Sequence, residues 1–201
     1  MSRLFFADID TQKDFMLPEG ALYVPGAERL RPKLRRLFDF AAKNEICILS
    51  SVDAHAEDDP EFEQFPPHCV KGTTGQQKIE DTLFRRPLVL ENKGYDRNLF
   101  EDVKKYPQII VEKQTLDIFS NPIAERLLRI LPPRAVVFGV TTEYCVKLAC
   151  LGLRKRNVQT VLVTDAIAAL SARTETGALN ELRASGVEFI TLDLLLDAGS
   201  K

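Results

Sequence analysis

Short apolar segments alternate with helical patterns along almost the whole of the 201-residue chain. The predicted strands cover residues 4–9, 46–52, 88–90, 108–112, 135–140, 160–164 and 188–192. The predicted helices cover residues 28–45, 143–156 and 171–185, and a further helix begins at Asn121-Pro122. Continuously apolar strands separated by helices are typical of a parallel sheet with helices on both faces. The alternation therefore predicts an α/β fold, a doubly wound three-layer sandwich around a mainly parallel central sheet.

Length, charge and missing motifs narrow the possible functions. The chain fits one domain over residues 1–201, and 27 basic against 29 acidic residues give a formal net charge of −2, unlike a nucleic-acid binder. No apolar run approaches the roughly 18 residues of a membrane-spanning helix. The chain becomes acidic at Asp8, too early for an export signal, and the dinucleotide, P-loop and serine-hydrolase glycine motifs are absent. Four cysteines without CxxC spacing then predict free thiols in a cytoplasmic protein that binds neither nucleic acid nor membrane.

One long segment without periodicity, residues 53–94, contains both histidines of the chain, His55 and His68. A loop of this length in an α/β domain usually has a function. Asp53 and His55 follow the end of a predicted strand and can turn toward one point, where imidazole and carboxylate groups suit zinc, iron or manganese. A surface loop that merely contains two histidines and scattered carboxylates explains the spacing equally well.

Cys145 stands just after the predicted strand at 135–140, at the start of the next helix. At that position the helix dipole and the unpaired N–H groups would lower the pKa of the thiol, and the N–H groups could hold an oxyanion. A buried structural cysteine is the alternative, and it is the interpretation that fits Cys47 and Cys150.

Charged residues also stand at the carboxyl ends of predicted strands. Asp10 closes the first strand and Lys113 closes another, and this edge of an open α/β sheet holds the ligand crevice. We therefore expect these two side chains to meet Asp53 and Cys145 if their strands are neighbours. Three further aspartates compete for the role of acid or base: Asp8, Asp14 and Asp165.

Several motifs occur in one order along the chain: DTQKDF at residues 10–15, DAH at 53–55, FPPHCVKGT at 65–73, Lys113, and GVTTEYCV at 139–146. Together they resemble the cysteine hydrolases of the isochorismatase-like superfamily, and nicotinamidases (pyrazinamidases) most closely. The resemblance extends from residue 4 to about residue 192. It favours the catalytic interpretation of these residues over the structural one.

The resemblance implies a catalytic set in which Cys145 is the nucleophile, Asp10 its general base and Lys113 the group that sets their electrostatics. A thiol attacks an amide as thiolate, so a neighbouring acceptor must take its proton and can return it to the leaving ammonia. The resemblance also implies a cis peptide between Val140 and Thr141, which aims backbone N–H groups, including that of Cys145, at the oxyanion. The implied reaction is hydrolysis of nicotinamide to nicotinate and ammonia through a cysteine thioester.

The resemblance further implies one divalent transition metal per chain, zinc in the first place and iron or manganese as alternatives. Asp53, His55 and His68 match the metal ligands, and Glu61 matches a position that some members use as a further ligand. In nicotinamidases the metal binds the pyridine nitrogen of the substrate.

Phe15 and Phe65 match the aromatic residues that flank the substrate ring in these enzymes. Leu116 departs from the pattern, because many nicotinamidases have a pocket tyrosine there. A C–N hydrolase of another small amide, carbamoyl or ureido compound is therefore the second hypothesis, and a catalytically silent binding module of the same fold is the third. The expected partners are a small-molecule amide and further copies of this chain in a homo-oligomer.

Overall fold

The computed structural model describes residues 4–95 and 98–198. Its core is one sheet of seven parallel strands, with the order β3-β4-β2-β1-β5-β6-β7. The strands are β1 (Phe5–Ile9), β2 (Ile48–Asp53), β3 (Leu88–Leu90), β4 (Gln108–Lys113), β5 (Arg134–Val140), β6 (Gln159–Ala168) and β7 (Glu188–Ile190). The predicted α/β fold is confirmed, and each predicted strand has a counterpart.

Helices cover both faces of the sheet, because the strand side chains alternate between two apolar clusters. The helices are α1 (Lys13–Met16), α2 (Arg31–Lys43), α3 (Leu99–Val103), α4 (Pro122–Leu127), α5 (Lys147–Lys155), α6 (Ala172–Ala184) and α7 (Leu192–Ala198). Phe5 of β1 packs in one cluster with Leu127 of α4 and Leu153 of α5. Phe6 points to the other face and packs in a cluster with Leu34 of α2 and Leu192 of α7. The result is the expected three-layer sandwich.

Three element boundaries differ from the sequence prediction for physical reasons. The helix predicted from residue 28 is a 3₁₀ turn over Ala27–Leu30 followed by α2, which puts Pro32 in the first helical turn, where no N–H is needed. The strand predicted to end at residue 192 ends at Ile190, because the Leu192 N–H donates to the carboxylate of Asp165 and α7 begins there. β6 is longer than predicted because its pairing with β5 resumes beyond an irregularity.

The segment at 53–94 crosses the carboxyl edge of the sheet and packs on the turn that follows β1. Gln12 and Lys78 form an antiparallel bridge, and His55 and Val70 form a parallel one. Its first residue, Asp53, ends β2, and beyond that residue only β3 joins the sheet within this segment. The ends of β1, β2, β4 and β5 therefore face the same loop.

No helix within residues 4–95 and 98–198 is long and apolar enough to cross a membrane. Residues 1–3, which begin the segment used to judge an export signal, lie outside the described ranges.

Close packing of β1 against β5 depends on one glycine. Gly139 has a φ of +120°, and a Cβ at this position would fall on the carbonyl oxygen of Ile9, the residue before Asp10. We expect Gly139→Ala to lower the free energy of unfolding by about 2 kcal/mol or more, because both the backbone conformation and the clash oppose it.

Gly177→Ala is the matched control, since Gly177 lies inside α6 with open space around its Cβ position. This change should raise the free energy of unfolding by about 0.5–1 kcal/mol. Urea denaturation of both variants measures the contrast, and equal stability would contradict the close approach of β1 and β5.

Candidate active site

Four strand ends bring their polar side chains to one buried ammonium group. Asp10 follows β1, Asp53 ends β2, Lys113 ends β4, and Cys145 lies in the turn after β5. Nζ of Lys113 lies 2.9 Å from Oδ2 of Asp10 and 3.7 Å from Sγ of Cys145, and it donates a hydrogen bond to Oδ1 of Asp53. The sequence expectation that these groups converge agrees with this geometry.

The backbone and a neighbouring serine fix the position of Asp10. Its φ of +48° lies in the left-handed region, and its N–H donates to the carbonyl of Ser51 over 3.3 Å. Oγ of Ser51 donates to Oδ1 of Asp10 over 2.6 Å, which leaves Oδ2 directed at Lys113. The carboxylate is thus held by one strand and faces the ammonium group of another.

Cys145 belongs to a wide, π-type turn over Thr142–Val146 that precedes α5. The carbonyl of Thr141 accepts hydrogen bonds from the N–H groups of Tyr144 and Val146, and the peptide bond between Val140 and Thr141 is cis. This turn sets the thiol at the amino end of the helix, as the sequence indicated.

The sequence-based expectation of a lowered thiol pKa is wrong for this structure. Burial raises the pKa of Cys145 well above its usual value, and the charge of Lys113 opposes this shift without cancelling it. The helix-dipole argument failed because it ignored the loss of solvation around a thiol that is largely buried.

Asp10 and Cys145, the two acids that exchange a proton in a thiol-based site, both have raised pKa values beside Lys113. Burial raises the pKa of Asp10 as it raises that of Cys145, while Lys113 opposes both shifts. Burial lowers the pKa of Lys113, but the charges of Asp10 and Asp53 outweigh it and leave the pKa well above its usual value. The lysine therefore stays charged, and a proton can move between sulfur and carboxylate beside it.

A second cluster shares Asp53 with the first. Ligand atoms of Asp53, His55 and His68 all lie within 4.8 Å of one another, and all three side chains are buried. Oδ2 of Asp53 lies 3.8 Å from Nε2 of each histidine, and Oε1 of Glu61 lies 3.9 Å and 3.8 Å from the same two nitrogens. Two imidazoles and two carboxylates thus face one point.

The outer nitrogens of both histidines are held by other groups. Nδ1 of His55 lies 2.9 Å from Oδ2 of Asp59, and Nδ1 of His68 lies 2.8 Å from the carbonyl oxygen of Pro66. Among the described residues neither nitrogen of His55 has a partner in hydrogen-bond geometry, so the Asp59 contact is an ion pair and Nε2 is left without a close partner. Burial lowers the pKa of His55, but Asp53 and Asp59 outweigh this effect and raise the pKa to about 9, whereas burial leaves the pKa of His68 below its usual value. An orphaned imidazole nitrogen that faces carboxylates fits a divalent transition metal.

Gln12 and Asp14 support the cluster, although the sequence analysis assigned them no such role. The Gln12 carboxamide accepts from the N–H of Asp53 over 2.7 Å and donates to its carbonyl over 2.8 Å. Oδ2 of Asp14 accepts the N–H of Cys69, the neighbour of His68, over 2.7 Å. The sequence does contain a signal for both roles: Asp10, Gln12 and Asp14 place a polar side chain at every second position after a buried strand.

The three competing aspartates lie in other contacts. Asp14 bonds backbone N–H groups, as described above, and Asp8 pairs with Lys78 over 2.7 Å. Asp165 pairs with Lys33 over 2.9 Å and accepts the N–H of Leu192 over 2.8 Å. In the part of the chain that the structure describes, none of the three contacts Lys113 or Cys145.

A cleft opens over Cys145 between the two clusters. Its walls are mainly apolar, and the three residues expected to contact the substrate line it: Phe15, Phe65 and Leu116. Its other lining residues are Leu22, Asp53, Glu61, His68, Val140, Thr141, Tyr144 and Leu170. The Phe15 ring lies 5.3 Å from the His68 ring, and the Phe65 ring meets the Tyr144 ring edge-on at 5.6 Å. A flat ring with one polar atom suits such walls.

Comparisons with known proteins agree on one family. The family model described as "Isochorismatase domain" matches residues 8–193. A nicotinamidase/pyrazinamidase of Mycobacterium tuberculosis is 24% identical over 199 residues, covering 90% of this chain and 95% of that protein. A nicotinamidase of Saccharomyces cerevisiae is 22% identical over 193 residues, covering 78% of this chain and 84% of that protein.

Solved structures show the same fold. The pyrazinamidase of Pyrococcus horikoshii in complex with zinc superposes with a TM-score of 0.76 at 24% identity, covering 94% of this chain and 99% of that one. An isochorismatase-like hydrolase from Alkaliphilus metalliredigens gives a TM-score of 0.78 at 23% identity, covering 98% of this chain and 99% of that one.

We expect Cys145 to be the thiol that iodoacetamide labels first near neutral pH. Cys145 lines the cleft, and Lys113 holds beside it the carboxylate of Asp10, which can take the proton of the thiol despite the raised pKa. Burial raises the pKa of Cys47 to about 11, and no such acceptor offsets it. Mass mapping after brief labelling measures the order, with Cys145→Ser as the control that should lack the fast site. Faster labelling of Cys47, Cys69 or Cys150 would contradict the arrangement.

Proposed function

Because the chain belongs to the isochorismatase family, we propose that this amidohydrolase converts nicotinamide to nicotinate and ammonia through a cysteine thioester. One observation carries the proposal: the Lys113 ammonium contacts Asp10, Asp53 and Cys145 at once. This contact joins a nucleophile and a proton acceptor to a cluster that can anchor a ring nitrogen. We also propose that residues 1–201 form a single hydrolase domain.

The first half of the reaction forms the thioester. Asp10 takes the proton of Cys145, and the sulfur attacks the carbonyl carbon of the amide. Lys113 stabilises the negative charge as it passes from carboxylate to sulfur. Backbone N–H groups of the turn after Val140, including that of Cys145, hold the oxyanion. Asp10 then returns the proton to the leaving nitrogen, which departs as ammonia.

The second half releases the acid. Asp10, now a carboxylate again, takes a proton from a water molecule that attacks the thioester carbon. The carbon–sulfur bond breaks, the acid leaves, and the proton returns to Cys145. Both halves use the same proton carrier, and this suits a carboxyl whose pKa burial has raised toward the working range.

Asp53, His55 and His68, with Glu61 as a further ligand, would hold a divalent transition metal, zinc in the first place. When bound, this ion supplies a Lewis acid for the lone pair of the substrate's ring nitrogen. The orphaned Nε2 of His55 and the mixed imidazole–carboxylate set support the assignment. The pyrazinamidase of P. horikoshii was solved in complex with zinc.

The cleft also supports an alternative substrate. Leu116 and Leu170 are among the apolar residues that line it, and Leu116 stands where many nicotinamidases have a pocket tyrosine. Another small amide, carbamoyl or ureido compound would use the same three catalytic groups. We propose nicotinamide first because the metal cluster and two aromatic residues, Phe15 and Phe65, suit a pyridine ring.

A comparison of two amides of the same shape tests the substrate. Benzamide lacks the ring nitrogen, so water would take its place at the metal cluster that anchors the ring. We therefore expect kcat/KM for benzamide to be about 10²-fold below that for nicotinamide. Ammonia release measures both, and Cys145→Ala should abolish both reactions. Equal turnover of the two amides would favour the alternative substrate. Rapid cleavage of a ureido compound, with no turnover of nicotinamide or benzamide, would also favour it.

Metal analysis tests the cluster. We expect about one divalent transition metal per chain in the purified protein, and a large loss of metal in His55→Ala, because that change removes a buried ligand. Glu57→Ala is the matched control, since Glu57 is an exposed acidic residue of the same loop. Undiminished metal in His55→Ala would exclude the assignment.

A further inference from the structure

A second buried aspartate–lysine pair, Asp8 and Lys78, lies beside the catalytic turn, by which we mean residues 10–14 after β1. The proposed mechanism uses neither member of this pair. Asp8 is in β1, two residues before Asp10, and its side chain is fully buried. Its Oδ2 lies 2.7 Å from Nζ of Lys78, which is itself only 6% exposed. A buried ion pair usually adds little stability over an apolar pair of the same size, so its presence points to a positional role.

The pair is tied to Thr11, the residue that follows Asp10. Nζ of Lys78 donates to Oγ1 of Thr11 over 2.8 Å, and this hydroxyl donates to Oδ1 of Asp8 over 2.8 Å. Oγ1 of Thr82 lies 2.7 Å from the same hydroxyl. The lysine thus holds the catalytic turn from below, through the side chain next to Asp10.

The backbone around Lys78 holds the same turn. Residues 75–79 run antiparallel to residues 11–14, with Gln12 and Lys78 as the bridge pair. The bonds run from the N–H of Lys13 to Gln77 (2.8 Å), from that of Asp14 to Gly75 (3.1 Å), and from that of Ile79 to Thr11 (3.1 Å). Lys78 therefore contacts the turn in two ways, through its side chain at Thr11 and through its backbone bridge with Gln12.

Consecutive serines of β2 connect the two aspartates. Ser50 donates to Asp8 over 2.7 Å, and Ser51 donates to Asp10 over 2.6 Å. Asp10 itself has a left-handed backbone conformation, which persists in a non-glycine residue only when its surroundings impose it. Lys78 and Asp8 hold Thr11, the residue that follows Asp10 in this backbone conformation.

We propose that Lys78 is a positioning residue that, through Asp8 and Thr11, keeps the Asp10 carboxylate aimed at Lys113 and Cys145. The inference rests on the proposed function for the role of Asp10 as proton carrier. Lys78 is not among the residues that line the cleft. Its loss should therefore lower the rate of the chemical step and leave substrate binding and metal content almost unchanged.

The test compares a neutralised pair with a matched control. Lys78→Met alone leaves Asp8 buried without a counter-charge, which strongly destabilises a fold. The deciding variant is therefore Asp8→Asn/Lys78→Met, which removes both charges. The control is Asp165→Asn/Lys33→Met, which removes a pair of similar length that is only partly buried and lies away from the catalytic turn. All proteins are assayed below the onset of their melting transitions.

We expect kcat of the deciding variant to fall about 10- to 100-fold, with KM within about threefold and metal content as in wild type. The control should keep both kinetic constants. The kinetic arm uses whichever small amide or ureido compound the wild type hydrolyses fastest. A kcat that merely follows the fraction of folded protein, or falls equally in the control, would overturn the proposal.

Hydrogen exchange gives a readout that needs no substrate. Peptides over residues 10–14 and 75–79 should exchange faster in the deciding variant than in wild type or control, while β5 stays protected. Unchanged exchange in both segments would overturn the positioning role even if kcat falls. If the wild type hydrolyses no nicotinamide, the proposed substrate fails, and the exchange arm still decides on Lys78.

Discussion

The charge of one buried lysine organises the carboxyl edge of this sheet. Lys113 has no contact with solvent, and a lone ammonium there would be costly; two carboxylates repay that cost and fix its position. Because Asp10 and Asp53 both need the same cation, β1, β2 and β4 must be in register at their ends. The turn after β5 places the thiol of Cys145 beside the same lysine. The site is therefore a property of four strands together and of no single motif.

Asp53 links two kinds of chemistry through its two oxygens. Oδ1 accepts from Lys113, and Oδ2 faces the two histidines and Glu61. Gln12 fixes the backbone on both sides of this carboxylate, so the side chain has little freedom to favour one cluster over the other. A substrate held between the clusters would meet an anchor at one end and a nucleophile at the other.

Periodicity was sufficient to predict the sheet and the residues at its edge. Apolar runs such as the one that ends at Asp10 mark buried strands, and a charge that closes such a run marks the crevice. Local pattern could not predict the raised pKa of the Cys145 thiol, because burial is set by residues far along the chain. It could not identify Lys78 as the partner of Asp8 either, since tertiary packing alone brings a loop residue to a strand 70 positions earlier. The start of α7 at Leu192 likewise depends on a distant cap from Asp165.

The position of β1 in the middle of the sheet has a consequence for how the protein is made. This strand precedes the other six along the chain, yet one of its two neighbours, β5, follows it by more than a hundred residues. Until β5 arrives, an apolar strand that includes Phe5 and Phe6 keeps one edge unpaired, and such an edge invites association with other chains. Pairing over so long a separation is also slow. The topology that gathers the four strand ends thus leaves the core incomplete until this distant pairing has formed.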